Sequence, residues 1–313
     1  MKRILSISLM ILLLITFMSI ETRANGVIDG YEVFGGIFYT RTNMTALVED
    51  YQEYFEFIEE NYENIEENLE FLYDGDIEGS EYVNYRFNSN ISSPSSPIGS
   101  PGFYIGIANN TEAGHRAMIS YERFNINVRG NAEYDLWIEV EEEALEDDPD
   151  YTEVEVSEDY KISINTDLTV NSAIGSYEFP LFTETETEIG HFLEYFTINL
   201  GGGYYWGDGK YNLSVYNKTT REGTDGDGDP IDEEEISDEE FSADLTLEGA
   251  VGFKVGAGFE VPVDNNLDVF GDFYYRRLEM EIAFDQDNDE EIFEGTEEDF
   301  SGLEFRTGIS YNF

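Results

Sequence analysis

Carboxylates are the residues of this chain whose spacing first suggests chemistry. Asp225, Asp227 and Asp229 alternate with glycine, and Asp285, Asp287 and Asp289 form a second alternating set. Oxygen ligands at that spacing suit a hard cation such as Ca2+. Neither segment is an EF-hand loop. Pro230 and Glu290 stand where the loop needs glycine, and Ile236 and Thr296 stand where its terminal glutamate belongs. Both sets lie in charge runs, Asp225–Glu240 and Asp285–Asp299, and Glu141–Asp150 is a third. Such runs are ordinarily solvated loops. The favoured reading is diffuse cation binding, with a specific calcium site as the alternative and no other cofactor expected. His115 and His191 fall near expected turns with no serine or cysteine constellation to serve. Nucleophilic catalysis needs such a partner, so no catalytic residue and no enzymatic activity are expected.

The elements that must position these groups begin after an export signal. Lys2 and Arg3 precede an apolar stretch, Ile4–Ile20, and Thr22-Arg23-Ala24 supplies a cleavage site, so residues 1–24 read as a signal peptide. An uncleaved anchor is the alternative, but the run is shorter than the roughly 20 residues a spanning helix needs. The chain has no cysteine, which excludes disulfides and thiolate metal sites. Residues 1–24 hold Lys2, Arg3, Arg23 and Glu21, so the 16 basic and 69 acidic residues become 13 and 68, a net of −55. A surface that acidic repels nucleic acid and anionic ligands. Phe numbers 23 and Tyr 22 against two Trp, an abundance that aromatic girdles at two membrane interfaces would use.

Two-residue alternation is the dominant pattern. Leu303, Phe305, Thr307, Ile309, Tyr311 and Phe313 alternate with Glu304, Arg306, Gly308, Ser310 and Asn312. Residues 245–261 place Leu245, Leu247, Val251, Phe253, Val255, Ala257, Phe259 and Val261 on one face, and residues 161–174 set Ile162, Ile164, Leu168, Val170 and Ile174 opposite Lys161 and Asp167. Soluble strands usually run about five or six residues, whereas a tilted bilayer-spanning strand needs about 9–11. Eight segments fit: about 30–41, 101–109, 114–126, 160–175, 191–206, 244–261, 266–284 and 300–313. The expected fold is therefore an all-β, antiparallel transmembrane barrel of eight strands, with ten as the alternative count. It occupies residues 25–313, with long acidic loops at about 42–100, 127–159, 207–243 and 285–299. Short turns would face the periplasm with both termini, and long loops the outside. Residues 44–72 repeat apolar side chains at helical spacing between glutamates, as in Tyr51, Phe55, Ile58 and Tyr62. That spacing predicts an amphipathic helix packed on the barrel rim or on a partner. A helix inside the lumen would have to bury those glutamates.

The last residues, RTGISYNF, place Arg306, Gly308, Tyr311 and Phe313 in the order polar, glycine, aromatic, aromatic. This resembles the terminal signal of Gram-negative outer-membrane barrels, which the barrel assembly machinery recognises. The segment GFKVGAGFEVPVDNNLDVFGDFYYRR at 252–277, with GGGYYWG at 201–207 and GFYIGI at 102–107, resembles the eight-stranded OmpA/OmpX-like outer-membrane β-barrel superfamily. The resemblance is close over the last third only, and it does not extend to a C-terminal periplasmic domain. It implies outer-membrane localisation, with lipid and the assembly machinery as partners and an unassigned external partner.

With apolar faces toward lipid, the inward charges would be Glu32, Arg116, Glu122, Lys161, Asp167, Glu248, Lys254, Glu260, Asp272, Arg276, Glu304 and Arg306. Seven acids against five bases suggests ion pairing, because unpaired buried charge is costly. Eight strands leave room for little beyond side chains. The expected role is non-enzymatic: envelope structure or surface contact through the acidic loops. A narrow porin-like channel for small solutes or cations is the alternative. Deleting Phe313 is expected to lower the amount of heat-modifiable barrel recovered from outer membranes. Unchanged insertion would strip the terminal motif of its assembly role.

Overall fold

The computed structural model describes residues 30–73, 83–94, 100–110, 115–142, 152–181, 195–224, 230–284 and 296–312. Residues 1–24, expected to be a signal peptide, both alternating aspartate sets, His191 and Phe313 lie outside the described residues. Among the described residues eleven strands and one helix follow in chain order: β1 (Tyr31–Thr42), α1 (Thr45–Tyr73), β2 (Val83–Ser92), β3 (Ser100–Asn110), β4 (Arg116–Glu142), β5 (Thr152–Pro180), β6 (Phe196–Thr224), β7 (Pro230–Asp264), β8 (Leu267–Arg277), β9 (Glu279–Phe284), β10 (Thr296–Asp299) and β11 (Gly302–Asn312).

Eight of these strands close a ring in the order β1-β3-β4-β5-β6-β7-β8-β11. Closure is the antiparallel β1–β11 pairing, with Gly36 opposite Gly308 and Phe38 opposite Arg306. A closed ring leaves no strand edge unpaired. The shorter strands β1, β3, β8 and β11 end where β4 to β7 continue upward for many residues. There β2 takes over from β3 against β4, with Arg86 opposite Trp137, and β9 and β10 continue the sheet beyond β8 and β11. Much of what reads in sequence as loop at 127–159 and 207–243 is therefore strand. The 42–100 segment holds a helix and a strand, and 285–299 ends in β10.

The reason these segments pair appears in their faces. Around the lower half, outward side chains are apolar: Ile37 and Tyr39 on β1, Ile105 on β3, Leu200 on β6, Phe253 on β7, Phe273 on β8 and Ile309 on β11 are all exposed. Above this band the polarity exchanges sides. On β4 the outward series passes from Ile119 and Tyr121 to Arg123, Asn125 and Arg129, while the inward series passes from Ser120 and Glu122 to Phe124, Ile126 and Val128. On β5 the outward series passes from Tyr177 and Ala173 to Asp167 and Lys161, while Ile162, Ile164, Leu168 and Val170 are buried inside.

On β7 the exchange is made differently. Its odd-numbered residues are apolar on both sides of the boundary, so unbroken alternation would keep them on one face. A β-bulge intervenes: Tyr205 pairs with Ala250 and Gly207 with Leu247, so Trp206 faces both Glu248 and Gly249. One extra residue reverses every face beyond it. Leu245 and Leu247 are thereby buried inside, whereas Val251, Phe253 and Val255 are exposed outside. Gly249 lies beneath the Tyr204 side chain, where a Cβ would collide with the phenol.

The helix closes the upper half, packing its apolar face against the inner side of the sheet and touching β2, β4 and β10. Val48, Tyr51, Phe55, Ile58 and Tyr62 are buried in one cluster with Ile126, Val128, Ile162, Leu245 and Ile282. Glu49, Glu53, Glu56, Glu59, Glu60 and Glu63 on the opposite face are exposed. Gly130 has no side chain because the Phe55 ring occupies that space. The Tyr51 hydroxyl shares a hydrogen bond with Thr166 at 2.5 Å. The helix N-terminus is capped from the far end of the chain, with Ala46 and Leu47 donating their backbone N–H groups to Glu298 at 3.3 and 2.6 Å. A carboxylate there satisfies donors that the helix leaves open. Burial nonetheless holds the Glu298 carboxyl above its ordinary pKa, with those N–H groups opposing the shift.

Deleting Gly249 alone removes the bulge and leaves every other residue on its present face, so that variant is expected to give a heat-modifiable barrel. Deleting Glu248 and Gly249 together reverses the lower strand and turns Lys254 outward, at about 2–4 kcal/mol for a cation in the apolar band. No folded band is expected from that double deletion. Equal recovery of the two variants would remove the bulge from its role in setting the faces.

Candidate functional site

The lower interior is filled by charge arranged in three tiers. In the upper tier Arg276 is fully buried. Its guanidinium donates to the Phe300 carbonyl at 3.2 Å and to Thr40 Oγ1 at 3.1 Å. It pairs with Glu304 at 3.4 Å and lies 4.5 Å above the Phe124 ring. Strands β1, β4, β8 and β11 thus meet on one side chain, whose planar set of five donors suits that task.

The middle tier is the most enclosed. Lys254 Nζ donates to Glu122 at 2.6 Å and stands 3.9 Å from Glu304. Arg306 pairs with both Glu122 and Glu304. Ser120 donates to Glu122 at 3.2 Å. The two cations also face rings: Arg306 is 4.8 Å from Tyr104 and 4.9 Å from Tyr274, and Lys254 is 4.8 Å from Tyr274. Two carboxylates and two cations close the cross-section here, each with more than one partner. Burial of charge is tolerable only under that condition.

In the lower tier Arg116 pairs with Glu32, with Glu260 at 3.0 Å and with Glu178 at 3.7 Å. Ser310 donates to Glu260 at 2.9 Å, and Asn199 donates to Asp272 at 3.2 Å. Between the middle and lower tiers a cavity of about 20 Å³ is bordered by Tyr104, Arg116, Glu178, Asp272, Tyr274 and Arg306. That space holds about one water.

Of the charges expected inside, Glu32, Arg116, Glu122, Lys254, Glu260, Asp272, Arg276, Glu304 and Arg306 therefore meet in the barrel. Three do not. Lys161, Asp167 and Glu248 are exposed on the outer surface. The first two lie above the apolar band, where the inward face of β5 belongs to the helix-covered core. Glu248 sits in the bulge. Alternation alone does not say which face meets water. Glu178 joins the inward charges from beyond residue 175, where the strand is expected to end unless Tyr177–Phe182 extends it; β5 does run on, to Pro180. The series Ser172, Ile174, Ser176, Glu178 continues the inward parity of β5 and marks it. His115 lies at the lower end with its ring 5.8 Å from Tyr177 and 5.7 Å from Phe179. In the terminal motif, Arg306 is inward and Tyr311 outward, and Gly308 faces Gly36 across the closing seam.

No family model matches the chain, and no curated protein matches it. Among solved structures, the attachment invasion locus protein Ail of Yersinia pestis, in complex with the heparin analogue sucrose octasulfate, is similar at 10% identity, covering 91% of this chain and all (100%) of that one, with a TM-score of 0.33. The outer membrane protein OprG from Pseudomonas aeruginosa is similar at 8% identity, covering 91% and 96%, with a TM-score of 0.34. The Pseudomonas putida toluene transporter TodX gives 9% identity over 92% and 91%, with a TM-score of 0.16. Likeness this slight carries no functional argument, and the reading below rests on the chain's own geometry.

Replacing Arg306 with leucine leaves Glu122 and Glu304 short of a partner at full burial. The expected loss is about 3–5 kcal/mol of unfolding free energy, measured by urea titration in lipid vesicles. Lys161→Ala, on the outer surface, is expected to change it by no more than about 0.5 kcal/mol. A large effect at Lys161 with a small one at Arg306 would reverse the assignment of faces.

Proposed function

We propose that this chain is an integral outer-membrane β-barrel whose lumen is closed and whose elongated external half makes surface contacts, without catalysis. The observation that carries this reading is the exchange of polarity along the strands. An apolar exterior around a charged interior suits hydrocarbon outside. A polar exterior around an apolar core suits water outside. Both occur on the same strands, stacked one above the other. From Val251 to Val261 the outward face of β7 is apolar over 11 residues, which matches the roughly 9–11 that a tilted strand needs to cross a bilayer. No described helix is long and apolar enough to cross a membrane, so crossing falls to the strands.

Orientation follows from the connections. The turn between β7 and β8 and the paired ends of β3 and β4 lie at the end where β1 begins and β11 finishes. Short turns with the chain termini mark the periplasmic side in barrels of this kind. The extended half of β4 to β7, with β2 and α1, then faces outside.

Closure of the lumen is supported by two layers. The tier of Glu122, Lys254, Glu304 and Arg306 occupies the middle of the interior. Above Arg276, the fully buried Phe124, Leu278 and Phe300 add an apolar layer beneath the helix. Purified, refolded protein in planar bilayers is expected to show no stable single-channel steps. Reproducible steps of uniform size would overturn the closed lumen in favour of a narrow channel.

A further inference from the structure

The water-facing side of the external sheet carries a groove that the reading above leaves unused. It crosses four strands. One row runs Asn88, Asp135, Asp159 and Lys218 on β2, β4, β5 and β6, and the next runs Arg86, Trp137, Ser157 and Thr220. Residues directly opposite one another in such a ladder have Cβ atoms about 4.5–5.5 Å apart, so each row is a continuous strip of side chains. The strip borders a groove of about 460 Å³, within the range of small-ligand sites.

Trp137 is the residue that packing does not explain. Its cross-strand neighbours are Arg86 and Ser157, and its same-face neighbours along β4 are Asp135 and Glu139. The apolar side chains of this region point the other way, into the helix-covered core. A half-exposed indole among polar groups gives a flat apolar surface within reach of hydrogen-bonding partners. The Arg86 guanidinium lies 5.9 Å from the indole centre, and it braces one side of the ring.

The polar groups around it alternate in kind. Asp135 and Asp159 stand directly opposite each other, with Lys218 next in the row. Lys218 also pairs with Glu234 at 3.0 Å. A hydrogen bond shared with Asp159 holds the Asp135 carboxyl above its ordinary pKa. With Glu158 also at its border, the groove offers three carboxylates, two cations, two hydroxyls and an amide, a surface that both donates and accepts and has no excess of positive charge. One row higher, Glu139, Glu155, Glu222 and Asp232 stand opposite one another on adjacent strands, a band that repels polyanions.

We infer that this groove binds a neutral saccharide, with a sugar ring laid on Trp137 and its hydroxyls bonded to Asp135, Asp159 and Lys218. Sugar rings present C–H faces to an aromatic surface and hydroxyls, each both donor and acceptor, at their edges. That is the chemistry the two rows offer. Neutrality of the ligand follows from the acidic band, which repels anions, and from the two cations being already engaged, Arg86 with the indole and Lys218 with Glu234. The site's natural access to such a ligand rests on the external placement proposed above, and the two claims are separable by experiment.

Trp206→Phe leaves Trp137 as the only tryptophan, so its emission reports the groove in the purified, folded protein. Titration with maltotriose, cellotriose and N,N′,N″-triacetylchitotriose is expected to give a saturable shift with at least one of them. Asp159→Ala and, separately, Lys218→Ala are expected to weaken that binding tenfold or more while heat modifiability is retained. The absence of a saturable shift with all three sugars overturns the proposal, as does equal affinity in both variants or saturation by dextran sulfate in their place. Placement is read independently. The chain lacks cysteine, so Asn90→Cys, beside the groove, is expected to react with a membrane-impermeant maleimide on intact cells. Failure of labelling with sugar binding intact would reject the external orientation and leave the site standing.

Discussion

Partway up each long strand the apolar side of the sheet passes from outside to inside, and that exchange governs where every charge in the described chain can sit. Below it, a charge has to find partners within the ring. Above it, a charge has to stay on the surface. The three ion-paired tiers and the glutamate-lined outer face of α1 are the two answers to this one constraint. The same side-chain chemistry serves opposite roles at different heights: Glu122 is a buried acceptor of two cations, whereas Glu133, farther up the same strand, lies in water beside Asn90.

Two routes achieve the exchange. On β4 and β5, and from β8 into β9, the residue types change while the alternation of faces runs on without interruption. On β7 the residue types stay the same and the backbone changes, through the bulge opposite Trp206. The second route needs a single extra residue and a small one, since Gly249 lies against Tyr204. It also brings aromatic residues to the boundary itself: Tyr204 and Trp206 have ring centres 6.0 Å apart, and Trp206 lies 6.4 Å from Tyr121 on the neighbouring side.

These routes explain what could be read from residue order. The last strand was legible from Leu303 to Asn312, because its odd positions are apolar except at Thr307 and its even positions are polar or glycine. The amphipathic helix was legible to within a residue, because its glutamates and aromatics keep their spacing throughout. The placement of Lys161, Asp167 and Glu248 was not. Period-two alternation identifies a strand but is symmetric between its faces, and only the surroundings decide which face is wet. The extensions of β4 to β7 were hidden for a related reason. Their outward residues are as acidic as a mobile loop would be, and the inward apolar residues make sense only once α1 is known to cover them. Partner residues 70 or more positions away cannot be inferred from local pattern.

The cap on α1 has a temporal consequence. Its carboxylate comes from Glu298, 251 residues after Leu47, in the short strand immediately before β11. Contacts of such sequence separation form late, since nearly the whole chain has to be gathered first. The helix near the start of the molecule can thus be seated fully only when the last hairpin arrives. An unclosed ring would leave that helix end open, so a complete upper half is itself a sign that the seam below has shut.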